Sequence, residues 1–427
     1  MNRSTSLKVA VVLGVGALAL AACGGGGGGA SSSSAAPSSS SQAPLGAVLK
    51  IGTLLPQTGS LAFLGPPEFA GVDAAVSAIN AAGGVLGSPV EVFDGDSGDT
   101  STSIASQTVD SLLQKGVSAI VGAASSGVTL TVIDKITAAG VVQFSPANTS
   151  VALSDPTVTK GLYFRTAPPD TFQGAVLATM ATSEGKKNVA VLALQDAYGE
   201  GLANNFEKAF TAAGGTLAEK IIYDPKAASF AAEVTKVKAS NPDAIVLIGF
   251  DESKTILQEM IKQGVGPDKV RLFLCDGNMA QSLADGLPAG IMEGTLGTTP
   301  GSAASETFKA ELLKADPNLK DFSYAPESYD AVNIIALAAI AANSVDGKAI
   351  AAKIPVVSAM GNTECNNFAD CAKLLGEGKA ISYVGPSGAA GIKANGDPTI
   401  ATMGIYAWGA DNKYTAKDFI TGEVPAA

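Results

Sequence analysis

Hydroxyls, small residues and a few acids recur just past the β-branched runs of this chain. After Val121 the sequence reads Gly122-Ala123-Ala124-Ser125-Ser126-Gly127, and after Phe144 it reads Ser145-Pro146-Ala147-Asn148-Thr149. Leu194 is followed by Gln195-Asp196-Ala197-Tyr198-Gly199, Ile248 leads to Phe250-Asp251-Glu252, and Asp276-Gly277-Asn278 lies just beyond Leu274. Small residues ahead of a helix let backbone N–H groups and hydroxyls approach an anion at its positive end. An acid on a neighbouring loop answers a cation. Each loop also has a plainer reading: Ser126 as a helix N-cap, Thr149 and Asp276 as turn formers, Tyr198 as a loop cover and Phe250 as core. Their shared placement at strand ends makes donors and an acid converge on one cleft, which is where an open parallel sheet takes its ligands.

The elements that must position these loops follow from periodicity. Short β-branched runs alternate with helical patterns of about ten to fifteen residues, the grammar of α/β proteins with parallel sheets. Strands are expected at Val48–Leu55, Val90–Phe93, Ala119–Val121 and Val141–Phe144. The helices between them are Glu68–Ala82, with Phe69, Val72, Val76 and Ile79 on one face, Ser103–Lys115 and Val128–Ala139. That is one doubly wound lobe. The order begins again with helix Phe172–Ser183, strand Val189–Leu194, helix Gly199–Ala213, strand Leu217–Tyr223, helix Phe230–Ala239 and strand Ala244–Ile248. Ala81-Ala82-Gly83-Gly84 closes a helix as Ala212-Ala213-Gly214-Gly215 does, with glycine as the stop. Ile120-Val121-Gly122 likewise matches Leu247-Ile248-Gly249. An internal duplication into two lobes explains both echoes, although Ala-Gly helix endings also recur by chance in so Ala/Gly-rich a chain.

Composition removes several kinds of chemistry. The 427 residues contain no histidine, the side chain most used for proton transfer near neutral pH and the commonest metal ligand, so Ser-His and Cys-His dyads are excluded. Lysine and arginine number 28 against 39 acids, a net charge of −11 with no basic block, and no nucleic-acid partner is expected. A serine hydrolase would need Ser126 beside a lysine, and the strand-end loops carrying the hydroxyls hold none. Of four cysteines, Cys365 and Cys371 stand close enough for a local disulfide in an oxidising compartment, with two free thiols as the alternative. Cys275, beside Leu272 to Leu274, reads as a small buried residue. Zinc lacks nearby ligands, and neither metal nor cofactor is expected.

The N-terminus carries an address. Arg3 and Lys8 precede an apolar run from Val9 to Ala22, which at about fourteen residues is too short for a bilayer core and has the three-part form of an export signal. Leu20-Ala21-Ala22-Cys23 places a cysteine where the cut would fall and resembles a bacterial lipoprotein signal, which implies acylation of Cys23; an ordinary signal peptide is the alternative. The glycine run Gly24 to Gly29 and the Ser/Ala/Pro-rich stretch after it, to residue 47, cannot bury a core and read as a tether with a reach of about 25 Å. No Lys-Ser or Lys-Thr follows the glycines to make a phosphate loop. Val332 to Ala342 is apolar but fits a buried helix. About 380 residues remain, enough for two domains placed outside the cytoplasm.

Pro56-Gln57-Thr58-Gly59, Glu68-Phe69-Ala70-Gly71, Asn80-Ala81-Ala82-Gly83-Gly84, Ser145-Pro146-Ala147-Asn148-Thr149 and Asp196-Ala197-Tyr198-Gly199-Glu200-Gly201 run in register with one family. From about Val48 to Trp408 the chain resembles the leucine/isoleucine/valine-binding family of ABC-importer substrate-binding proteins. The resemblance implies a type I periplasmic-binding-protein fold: two doubly wound, Rossmann-like lobes joined by three hinge crossovers, near Ala167, Thr299 and Thr399. Lobe 1 is then 48–167 with 299–399, and lobe 2 is 168–298 with 400–427. It further implies that Ser126 and Thr149, flanked by Ser125 and Asn148, hold a ligand carboxylate through hydroxyl and backbone N–H. The Ala147 carbonyl, Thr149 and Asp276 would hold an ammonium. Tyr198 and Phe250 would close from the second lobe, and Phe63 or Leu64 would border the ligand side chain. Asp276 stands where the best-known amino-acid binders carry a longer Glu, and Asn148 and Leu64 also depart from them. The implied partners are a small amino acid, or an amide, urea or aromatic carboxylate, and a membrane permease, with the protein a lipid-anchored monomer on the outer face of the cell membrane or in the periplasm. A ligand sensor is the other role such a fold serves.

Overall fold

The computed structural model describes residues 47–426. The export signal, Cys23 and the tether up to residue 46 lie outside the described residues. Strand β1 (Lys50–Leu54), helix α1 (Gly65–Ala81), β2 (Glu91–Phe93), α2 (Ile104–Gln114), β3 (Ala119–Gly122), α3 (Ser126–Ala138), β4 (Val142–Ser145), the short α4 (Pro156–Thr159) and β5 (Tyr163–Arg165) come first. They build a five-stranded sheet in the order β2-β1-β3-β4-β5, parallel throughout. Helices cover such sheets on both faces, so their strands read as unbroken apolar runs, and β3 is buried at every residue. Helix α1 starts at Gly65, ahead of the expected Glu68, because Pro66 and Pro67 occupy its first turn, where a missing N–H costs nothing.

The chain then leaves this sheet through Thr166–Pro169. Helix α5 (Asp170–Ser183), β6 (Asn188–Leu194), α6 (Ala197–Ala212), β7 (Thr216–Tyr223), α7 (Ala231–Ser240), β8 (Ala244–Ile248), α8 (Ser253–Gln263), β9 (Arg271–Leu274) and β10 (Leu296–Pro300) form the second sheet. Its parallel part runs β7-β6-β8-β9-β10, the same winding as the first sheet, so the echoes in sequence have a counterpart in topology. Both switch points, between β1 and β3 and between β6 and β8, mark where a crevice must open.

After β10 the chain returns to the first lobe with α9 (Glu306–Ala315), α10 (Ala325–Ala342), α11 (Gly347–Ala351), α12 (Ile354–Val357), β11 (Thr363–Cys365), α13 (Phe368–Gly376) and β12 (Ile381–Tyr383). The apolar stretch at Val332 is the inner part of α10, buried nearly from end to end against α1. A Cβ on Gly71 would stand 2.3 Å from the Ala325 carbonyl, so glycine lets the two helices touch. Cys365 and Cys371 are disulfide-bonded, tying β11 to α13, and Cys275 is buried and free. Finally β13 (Ile400–Trp408) and β14 (Tyr414–Glu423) add antiparallel strands to the edge of the second sheet. Among the described residues no single helix is long and apolar enough to cross a membrane.

Candidate functional site

The loops after β3 and β4 form one rigid wall. Ser125, not Ser126, caps α3: its Oγ accepts from Val128 N–H at 3.3 Å. Ser126 is the first helical residue, buried, and its Oγ accepts the N–H groups of Thr149 and Ser150 at 3.3 and 3.2 Å. Ser145 Oγ donates to the Ala123 carbonyl at 2.7 Å and accepts from Asn148 N–H. The Asn148 amide donates to the carbonyls of Ala123 and Ala124, and its Oδ1 accepts from Tyr163, so this side chain is wholly used in joining the two loops. Behind the wall, Arg165 donates to the carbonyls of Asn148 and Ser150, to Ser154 Oγ and to Asp397, a fully buried set that sequence reasoning missed.

The facing wall comes from the second lobe. Asp196 caps α6 through the N–H groups of Tyr198 and Gly199, and burial pushes its carboxyl up to about 6 against those two bonds. The Tyr198 ring stacks on Phe250 with centroids 5.5 Å apart. Asp276 accepts from Tyr198 at 2.8 Å and Gln173 at 2.8 Å on one oxygen and from Tyr324 at 2.7 Å on the other. Burial raises its pKa, while the bonds from Tyr324, Gln173 and Tyr198 work to lower it. Three of about four lone-pair positions are therefore filled by the protein itself. Tyr324 precedes α10 in the left-handed region, at φ 61°, uncommon for a bulky residue and found where surrounding contacts impose it. Gln173 and Tyr324 were invisible in the sequence because each is remote from the strand-end loops; the one available signal was Pro326 with Glu327, which marks a helix start beside Tyr324.

Between these walls lies a chamber of about 20 Å³. Of the residues expected at the ligand, Ser125, Ser126, Ala147 and Thr149 line it from the first wall, Tyr198, Phe250 and Asp276 from the second, and Leu64 from the turn after β1. Phe63 does not: it packs on the second lobe's core, and Leu61 takes the bordering place because the segment Ala62–Leu64 is a tight helical turn that brings Leu61 and Leu64 inward. Asn148 is likewise turned away. A larger pocket of about 290 Å³ adjoins the chamber, sharing Leu61, Ser125 and Phe250, and includes Lys226 from the loop after β7, a strand-end lysine that was not expected there. Among the described residues no base hydrogen-bonds Ser126 Oγ, and no cluster of three or more His, Cys, Asp or Glu side chains is arranged to hold a metal.

Two sheets of one winding, with a chamber between their strand ends, define a two-lobed binding protein. Residues 48–411 match the family model described as periplasmic binding protein, and the chain belongs to that family. A Leu/Ile/Val-binding protein homolog 3 of Brucella melitensis is 28% identical over 342 residues, covering 76% of this chain and 89% of that protein. The leucine-binding protein LivK of Thermotoga maritima superposes with a TM-score of 0.70 at 24% identity over 87% of this chain and 98% of its own. A Rhodopseudomonas palustris solute-binding protein in complex with 4-hydroxybenzoate gives 0.69 at 18% over 89% and 98%. The fold is that of type I periplasmic binding proteins.

Proposed function

We propose that this chain is the extracytoplasmic solute-binding component of an ABC importer, closing its lobes around a branched-chain or related small amino acid and handing it to a membrane permease. One observation carries the reading: the hydroxyls and α3 N-terminus of one wall stand opposite the Asp276 carboxyl across one small chamber. A zwitterion leaving water must have both charges answered, and donors facing an acid do so. The names of the Brucella and Thermotoga relatives support the same ligand class. Since about 20 Å³ holds roughly one water, the ligand enters when the lobes part and is enclosed by hinge closure, with no bond made or broken. The moving bodies are residues 48–167 with 299–399 and 168–298 with 400–427, acting as a monomer tethered through acylated Cys23. Calorimetry with leucine, isoleucine, valine and alanine should give dissociation constants below the millimolar range; no binding by any of them overturns the amino-acid assignment. Replacing Cys23 by alanine should move the protein from membrane to soluble fractions, and continued retention refutes the anchor.

A second reading places a plain or aromatic carboxylate, an amide or urea in the same chamber. The three hydrogen bonds that Tyr198, Tyr324 and Gln173 already give Asp276 favour it, as does the flat Tyr198–Phe250 stack. The same calorimetry with 4-hydroxybenzoate, acetamide and urea decides between the two by which set binds tighter.

A further inference from the structure

Asp170 opens α5 directly behind the chamber and is 0% exposed, yet neither of its carboxyl oxygens accepts a hydrogen bond. Its backbone N–H donates to the Thr149 carbonyl at 2.7 Å, which seats the side chain beside Thr149. Thr149 Oγ1 is also buried and without a hydrogen-bond partner, and it is the hydroxyl that lies near enough to act on the Asp170 carboxyl. On the other side α6 is pressed close: a Cβ on Gly201 would come 2.7 Å from Asp170 Oδ2, leaving no space for a hydrated cation. The neighbouring guanidinium of Arg165 is committed to Asp397, Asn148, Ser150 and Ser154. A buried carboxylate that meets no donor takes up a proton instead. Burial accordingly holds Asp170 well above the usual carboxylate range; the Thr149 hydroxyl and Arg165 pull it down, and Asp276 and Asp196 push it further up.

We infer that Asp170 is a positioning residue that fixes the hydrogen-bond polarity of Thr149 toward the ligand. As a neutral acid Asp170 has one O–H to give, and Thr149 Oγ1 is the unpartnered acceptor beside it. The Thr149 proton is then left to point into the chamber, where it meets a ligand carboxylate oxygen. An ionised Asp170 would draw that proton to itself and turn a lone pair on the ligand. Ser126 Oγ already accepts two N–H groups, so its proton also faces outward and the wall becomes uniformly donating. The inference rests on the chamber being the ligand site and deepens it: the end of the ligand lying on Thr149 is an anion.

The experiment uses the full chain with L-leucine and its deaminated counterpart 4-methylpentanoate as probes, and two variants of similar size. Asp170→Leu removes the donor and should weaken both probes about five- to tenfold. Asp170→Asn keeps an N–H donor without a charge and should restore most of that loss. Asn as weak as Leu, or Leu as tight as wild type, overturns the inference. A ¹³C titration of the aspartate carboxyls in the wild-type protein, with Asp170 assigned from the Asn variant, should show it protonated at pH 7; an ionised Asp170 refutes the inference whether or not either probe binds. Failure of both probes and of the carboxylates named above to bind wild type is a different result, which removes the chamber reading itself.

Discussion

Asp276 is the residue where the expected and the observed arrangements differ most. It faces the chamber as an ammonium acceptor should, but Tyr198, Tyr324 and Gln173 reach it first. Burial also pushes both tyrosines well above their ordinary range, so they remain donors. If an amino acid binds, its ammonium takes the remaining lone pair. Asp276→Asn should then weaken leucine about tenfold or more while sparing 4-methylpentanoate, because hydrogen bonds to charged groups are worth about 1.5–3 kcal/mol. Calorimetry on both probes checks this, and equal losses would refute the ammonium role. The loop residues of the site were legible because strand ends and small residues mark them. Their supports were not: Arg165, Asp170 and Gln173 are polar side chains whose burial depends on contacts from distant segments, and no local pattern announces that.

At the scale of elements, one buried ion pair ties the end of the first sheet to the segment ahead of β13. Arg165, at the end of β5, reaches Asp397 in the segment leading to β13, and its backbone N–H donates to the Gly396 carbonyl at 3.0 Å. Arg165→Met would strand the Asp397 charge and should cost about 3–5 kcal/mol in urea unfolding, with Asp397→Asn added on top recovering part of it. The glycine pair after α1 offers a contrast of mechanism. Both residues have positive φ, at 104° and 75°, but a Cβ on Gly84 would lie 2.0 Å from the Ser88 carbonyl while one on Gly83 meets nothing within 4 Å. Gly84→Ala should therefore lower the melting temperature more than Gly83→Ala, and the reverse order would show that the turn, not the contact, is limiting. Strands β1 to β4 and β6 to β8 were readable as apolar runs, and β8 falls on its expected residues, whereas β5, β9 and β10 were not assigned. By contrast β14 was missed because it is an exposed edge with no alternating apolar face, and β13, although mostly buried, was missed with it.

Over the whole molecule, buried acids set the pH response. Burial holds Glu68, Asp170 and Glu327 well above the ordinary carboxylate range and pushes Asp196 and Asp330 up to about 6. Each folded pKa exceeds the unfolded value of about 4, so the stabilisation is complete below that pH and is lost as pH rises, through about 6 for Asp196 and Asp330. The net charge of −11 at pH 7 adds self-repulsion in the same direction. Exposed acids with lowered pKa, such as Asp155, oppose this weakly because water screens them. Urea midpoints should fall between pH 4 and pH 7.5; a steady rise would mean that these acids find donors in solution.

The interleaving of the two lobes bears on how the chain is made. Helix α10, the filler of the first lobe's core, emerges from the ribosome only after every parallel strand of the second, and the second waits in turn for β13 and β14, which follow α10. Neither half is a contiguous segment able to finish ahead of the other, so a nascent chain of this design keeps both cores open until the elements that seal them have been made.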